Sequence, residues 1–106
     1  MKKNHKHIKR AYIVFDGLKK TVDVRSLFEC RGRWFFTFKT YLWFIADYET
    51  GMLIGKNQTL FDEAEAIEIC KKLVPKFSPQ AMIILQSSEK VNNWSQLEEK
   101  SYWEPI

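Results

Sequence analysis

Apolar and polar positions change rhythm several times along this chain, and each change marks an expected element. Residues 1–10 carry Ile8 as the one apolar side chain after Met1, among Lys2, Lys3, His5, Lys6, His7, Lys9 and Arg10. That composition predicts a flexible basic arm. Residues 11–15 then read Ala-Tyr-Ile-Val-Phe, β-branched and aromatic, and Asp16-Gly17 is a strong reverse-turn dipeptide. Residues 21–27 alternate apolar and polar with period two, which predicts the second arm of a hairpin with one wet face.

Cys30-Arg31-Gly32-Arg33 predicts the next turn. Residues 34–38 and 41–46 form the densest aromatic stretch, bent or broken at Lys39-Thr40, and they lack a clean 3.6-residue period. Strand is therefore expected over helix. Glu49-Thr50-Gly51 turns the chain into a short strand over 52–54, ending at Gly55.

A helix is expected next. Thr59 and Asp62 have the spacing of a capping box, and Asp62, Glu63 and Glu65 place negative charge at the positive end of the helix dipole. Ala66, Ile67, Cys70, Leu73 and Val74 share one face, Lys71 and Lys72 sit at the other end, and Pro75 stops the helix. Residues 81–85, Ala-Met-Ile-Ile-Leu, read as a strand buried on both faces. Asn92 or Asn93 is expected to cap a short last helix, and the aromatic side chains of residues 101–106 to dock on the body.

The sum is an α+β architecture: an antiparallel β-meander of about five to six strands packed on one amphipathic helix, with a short C-terminal helix. The arm occupies residues 1–10 and a single domain residues 11–106. Edge strands at 11–15 or 52–54 leave pairing with a second copy open, so a homodimer is one expectation.

Size and composition narrow the function classes. At 106 residues, 45% hydrophobic and 15% aromatic, the chain supports one core and excludes a kinase, a TIM barrel or a paired Rossmann fold. No early apolar run suits a signal peptide and none is long enough to span a bilayer, so a cytoplasmic protein without a membrane partner is expected. Cys30 and Cys70, with no CxxC spacing, read as reduced thiols. The net charge of +4 is unevenly spread: residues 1–40 hold eleven Lys and Arg against three acids, and the remainder is net acidic. That polarity favours an anionic partner on one side.

Catalysis has little to work with. His5 and His7 lie in the arm, where no scaffold holds them beside a nucleophile or further metal ligands. No serine sits in a GxSxG elbow, no glycine-rich phosphate loop exists, and no carboxylate pair is forced together by spacing. A non-enzyme with no cofactor and no metal is expected. Residues 31–38 can be laid against the RNP1 signature of RNA-recognition motifs at Arg31-Gly32, Phe35 and Phe38. Such a motif needs a helix and a strand between its two aromatic strands, and residues 16–30 leave no room for them. No family is assigned.

What remains is interleaving of basic and aromatic side chains. Arg31, Arg33, Trp34, Phe36, Tyr41 and Trp43 combine the residue types enriched at protein hot spots, which predicts a partner-binding surface. The expected function is a small binding protein that regulates or inhibits a protein partner. Chains of this size include inhibitors that phages and mobile elements direct at nucleic-acid-handling host complexes, anti-CRISPR proteins among them; this is an analogy of size class alone. The alternative is direct DNA or RNA binding through Lys2, Lys3, Lys6, Lys9, Arg10, Lys19, Lys20, Arg25, Arg31, Arg33 and Lys39, with neighbouring rings as stacking platforms.

Overall fold

A computed structural model describes residues 10–55 and 60–92. The arm before Arg10, the cap expected at Thr59, the last helix and the docking of the aromatic tail lie outside the described residues. Among these residues six strands and two α-helices follow in the order β1 (Arg10–Phe15), β2 (Leu18–Asp23), β3 (Ser26–Cys30), β4 (Arg33–Lys39), β5 (Trp43–Asp47), β6 (Leu53–Ile54), α1 (Glu63–Leu73) and α2 (Pro79–Ser87). The class is α+β, as the patterning predicts.

The strands form two sheets rather than one. β1 and β2 make a two-stranded hairpin, and β3-β4-β5-β6 make a four-stranded antiparallel meander. Residues 21–27, expected as one strand, break at Val24-Arg25, where the chain leaves the hairpin and enters the meander. Two tight turns have positive φ at both central residues, Asp16 (52°) with Gly17 (74°) and Arg31 (56°) with Gly32 (83°). Their twist matches that of the flanking strands, which is why the hairpins close in two residues.

The meander is covered on both faces. Even-numbered β4 and β5 side chains, Phe36, Phe38 and Ala46, pack with Tyr48 against Ala11 and Ile13 of the hairpin. Odd-numbered Phe35, Trp43 and Ile45 pack with Ile54 against Leu60, Ala66, Cys70 and Val74 on the helical side. Burial on both faces explains the near-continuous aromatic run, since neither face of β4 or β5 needs polar residues. Phe38 stacks on Phe44 at 5.5 Å between centroids, and Phe36 meets Tyr48 edge-on at 6.1 Å. The hairpin is tied down by a parallel bridge between Val14 and Met52 and by Val14 N–H donating to Gly51 C=O at 2.8 Å.

Helix α1 is capped by Asp62, whose carboxylate accepts from Glu65 N–H at 2.7 Å, while the Glu65 carboxylate accepts from Phe61 N–H at 2.9 Å. Asp62, expected as the partner of a Thr59 cap, is itself the N-cap residue, and Glu65 reaches back one residue beyond it. The Ser26 hydroxyl donates to the Glu63 carboxylate, and the Thr37 hydroxyl lies 3.4 Å from the same oxygen, so the first turn of α1 is pinned to the sheet. Pro75 ends the helix in a 3-10 turn over Val74–Lys76.

Residues 81–85 correct the sequence reading: they lie in helix α2, not in a strand. Ser78 caps that helix by accepting from Ala81 N–H at 3.1 Å, and Pro79 occupies its first turn, where a missing N–H costs nothing. Leu85 is buried, whereas Ile83 and Ile84 are exposed. Asn92 is buried rather than facing solvent. Its buried side chain accepts from Tyr12 N–H at 2.8 Å and donates to Tyr12 C=O at 2.9 Å and Tyr48 C=O at 2.7 Å.

Both cysteines are free, Cys30 half-buried and Cys70 buried. Burial, with smaller contributions from Cys30 and Asp47, pushes the Cys70 thiol up to about 12. A thiol reagent at pH 8 is therefore expected to spare Cys70 in the native protein and label it only after denaturation. Equal labelling rates for native and denatured protein would contradict the fold. Because the native thiol keeps its proton where the unfolded one loses it, this group's contribution to stability declines as pH rises from about 9 toward 12.

Candidate interaction surface

The hairpin is in register with Ala11 opposite Val22, Ile13 opposite Lys20 and Phe15 opposite Leu18, so these six side chains share the face turned toward the meander. At the Ala11 end that face is closed against the core. At the turn end it opens, because an inward-pointing lysine at position 20 keeps water and charge where an apolar residue would collapse onto the sheet. The result is a groove of about 700 Å3 between Phe15, Leu18 and Lys20 on one side and Phe38, Phe44 and Leu53 on the other. Thr40 and Tyr41, from the β4–β5 turn, and Lys19 complete its rim.

Two of the rim side chains are unusually open: Leu18 is 72% exposed and Tyr41 90%. Large apolar groups so exposed beside a concave apolar surface are a recurring property of interaction sites. Lys19 stands 4.7 Å from the Tyr12 ring centroid on the outer face of the hairpin. The site is thus an apolar trough with cationic groups along one lip.

The sequence-predicted residues divide into three groups. Tyr41, Lys19 and Lys20 are at the groove. Arg25, Arg31 and Lys39 are exposed elsewhere, and Arg25 and Lys39 approach the Trp43 ring at 5.5 and 5.8 Å. Among the described residues Lys19, Lys20, Arg25, Arg31 and Lys39 form no ion pair, whereas Arg10 lies 3.5 Å from Asp23. Lys2, Lys3, Lys6 and Lys9 lie outside the described residues.

The third group is built into the body. Phe36 is fully buried and Trp43 is 9% exposed, so neither offers its ring to a partner. Trp34 is half-buried against the hairpin-side core. The aromatic sheet face expected as a binding platform is covered, because the hairpin shields the face that the helix leaves open. Arg33 is likewise internal: its Nε and one Nη donate to the two Asp47 carboxylate oxygens at 2.8 and 2.9 Å. The same Nη donates to Leu85 C=O at 3.3 Å in the last turn of α2 and lies 3.7 Å from Glu49. The Asp47 hydrogen bonds hold the Arg33 guanidinium above its ordinary range despite partial desolvation.

Leu18, Phe15, Phe38, Phe44 and Leu53 are among the groove residues that sequence reasoning missed. Leu18 follows the Asp-Gly turn directly, where an apolar residue beside two lysines gives a weak signal for exposure. Among the described residues no group of three or more His, Cys, Asp or Glu side chains is placed to hold a metal ion. No helix among them is long and apolar enough to cross a membrane. Comparison with protein-family models, curated proteins and solved structures finds no match.

Proposed function

We propose that this chain is a non-catalytic cytoplasmic binding protein that regulates or inhibits a protein partner, and that the groove under the β1–β2 hairpin is its contact surface. The occupant suited to it is an acidic segment carrying aromatic or long aliphatic side chains. The observation that carries this reading is the open apolar trough lined by Leu18, Phe38, Tyr41 and Phe44 with Lys19 and Lys20 beside it. A size-class analogy adds a partner type, a nucleic-acid-handling host complex met by a phage or mobile-element inhibitor. Direct nucleic-acid binding draws support from the basic side chains that form no ion pair among the described residues and from the open Tyr41 ring, but two of the rings expected as stacking platforms, Phe36 and Trp43, are enclosed.

The test is an affinity capture with and without nuclease treatment, run in parallel on the Leu18→Asp and Tyr41→Ala variants. Both substitutions fall on exposed side chains, so the thermal midpoint should hold. The expected result is a stoichiometric protein partner that survives nuclease treatment and is lost at least tenfold in Leu18→Asp. Capture that vanishes with nuclease, together with a steep decline of affinity with salt, would move the assignment to nucleic acid. Undiminished capture by both variants would remove the groove from the interface.

A further inference from the structure

The groove has a candidate occupant within the same chain. Residues 93–106 contain Trp94, Leu97, Tyr102, Trp103 and Ile106 together with Glu98, Glu99 and Glu104 against a single Lys100. That is the acidic, aromatic chemistry that the trough and its lysine lip select. It is also where two of the four tryptophans of the chain reside.

Placement favours the same pairing. Asn92 is fastened to β1 by its two hydrogen bonds to the Tyr12 backbone, so the following residues depart from beside Tyr12. Ile13, the next residue along that strand, already lines the groove. An extended segment of this length reaches on the order of 45 Å, and the longest dimension of the molecule is 38 Å, so reach does not limit the contact. A second copy fits less well. The outer strand of the hairpin, β2, carries Lys19 and Lys20, and two such edges repel each other.

Resting on the reading of the groove as a contact surface, we propose that in the free protein residues 94–106 occupy it in cis, with Trp94 or Trp103 in the trough and glutamates toward Lys19 and Lys20. A partner then binds by displacing this segment, and its apparent affinity is reduced by the fraction of molecules in which the groove is filled.

Photo-crosslinking of the full chain tests this. Tyr41 is replaced by benzoylphenylalanine, the protein is irradiated at low micromolar concentration without any partner, and the products are mapped by mass spectrometry. The expected product has monomer mass and joins position 41 to residues 94–106. Its yield should decrease at least fivefold in Trp94→Ala/Trp103→Ala and in Lys19→Glu/Lys20→Glu. A product of dimer mass would assign the groove to a second copy and overturn the proposal. So would crosslinks confined to residues outside 94–106, an absence of crosslinks, or a yield unchanged in both variants. The two readings fail separately: loss of capture in Leu18→Asp without any crosslink to residues 94–106 keeps the groove as a partner surface and discards only its occupation in cis.

Discussion

Replacing Arg33 with alanine is expected to lower the unfolding free energy by about 3–5 kcal/mol, the usual consequence of removing one partner from a buried ion pair. The Arg33 and Asp47 side chains are 11% and 1% exposed, so water cannot replace the lost guanidinium. Asp47 would keep Thr50 N–H at 3.0 Å and the Thr50 hydroxyl at 2.7 Å, two neutral donors left to solvate a full charge. The α2 carbonyl of Leu85 would lose its donor at the same stroke. Against a total stability of about 5–15 kcal/mol for a domain of this size, the variant approaches the edge of folding. Urea denaturation measures it, with Arg31→Ala, at an exposed turn position, as the companion that should change little. Arg33→Ala/Asp47→Ala should be less destabilised than the two single changes added together, because neither charge is then stranded. An unchanged midpoint for Arg33→Ala would refute the buried pair. The result also governs any binding experiment: lost activity in an Arg31→Ala/Arg33→Ala double variant would report unfolding rather than a missing phosphate contact.

Gly51→Ala is expected to cost about 2–5 kcal/mol, from two sources that can be separated. The first is conformational, because φ at Gly51 is +73°, where a Cβ costs about 1–2 kcal/mol. The second is steric. A Cβ there would sit 2.9 Å from Tyr12 O, 3.0 Å from Val91 Cγ2 and 3.1 Å from Ile13 Cα, and two of those atoms are backbone that cannot swing aside. Such overpacking costs a further 1–3 kcal/mol or so. Gly17→Ala supplies the comparison: φ is +74°, but nothing lies within 4 Å of the added carbon, so only the conformational part applies. The displaced segment would also carry Gly51 C=O away from Val14 N–H, so amide exchange at Val14 should accelerate in Gly51→Ala and not in Gly17→Ala. Equal losses in the two variants would show that the close approach of Gly51 to β1 is not realised in solution.

Local chemistry decided which elements were legible beforehand. The Asp16-Gly17 hairpin, the aromatic strands β4 and β5 and the Pro75 stop each rest on residues within a few positions of one another. Helix α2 was misread because a five-residue apolar run has no resolvable period, although Ser78-Pro79 ahead of it is a helix-start signature. Arg33 and Arg31 look alike in sequence, two arginines flanking a glycine. What separates them is register: β4 pairs Phe35 with Asp47, which brings the Asp47 carboxylate to the same face as Arg33, while Arg31 stays in the turn. Phe36 and Trp43 were placed on an open face for the same reason. Nothing in residues 10–23 announces that the hairpin folds over the meander instead of extending it, and that one choice decides which rings remain available.

The contact between Asn92 and Tyr12 spans 80 positions, and it completes the outer edge of the first strand with a side chain made long after that strand. At about 5–20 residues per second, the interval between making the two is on the order of 4–16 s. Hairpins form in microseconds, so β1 and β2 are paired long before Asn92 exists. During that wait the Tyr12 backbone presents an unmatched donor and acceptor at a sheet edge, the configuration that recruits foreign strands. The lysines of β2 guard the opposite edge of the hairpin and leave this one bare. Slowed translation downstream of the hairpin should therefore lower the soluble yield of this protein more than an equal slowing upstream of it.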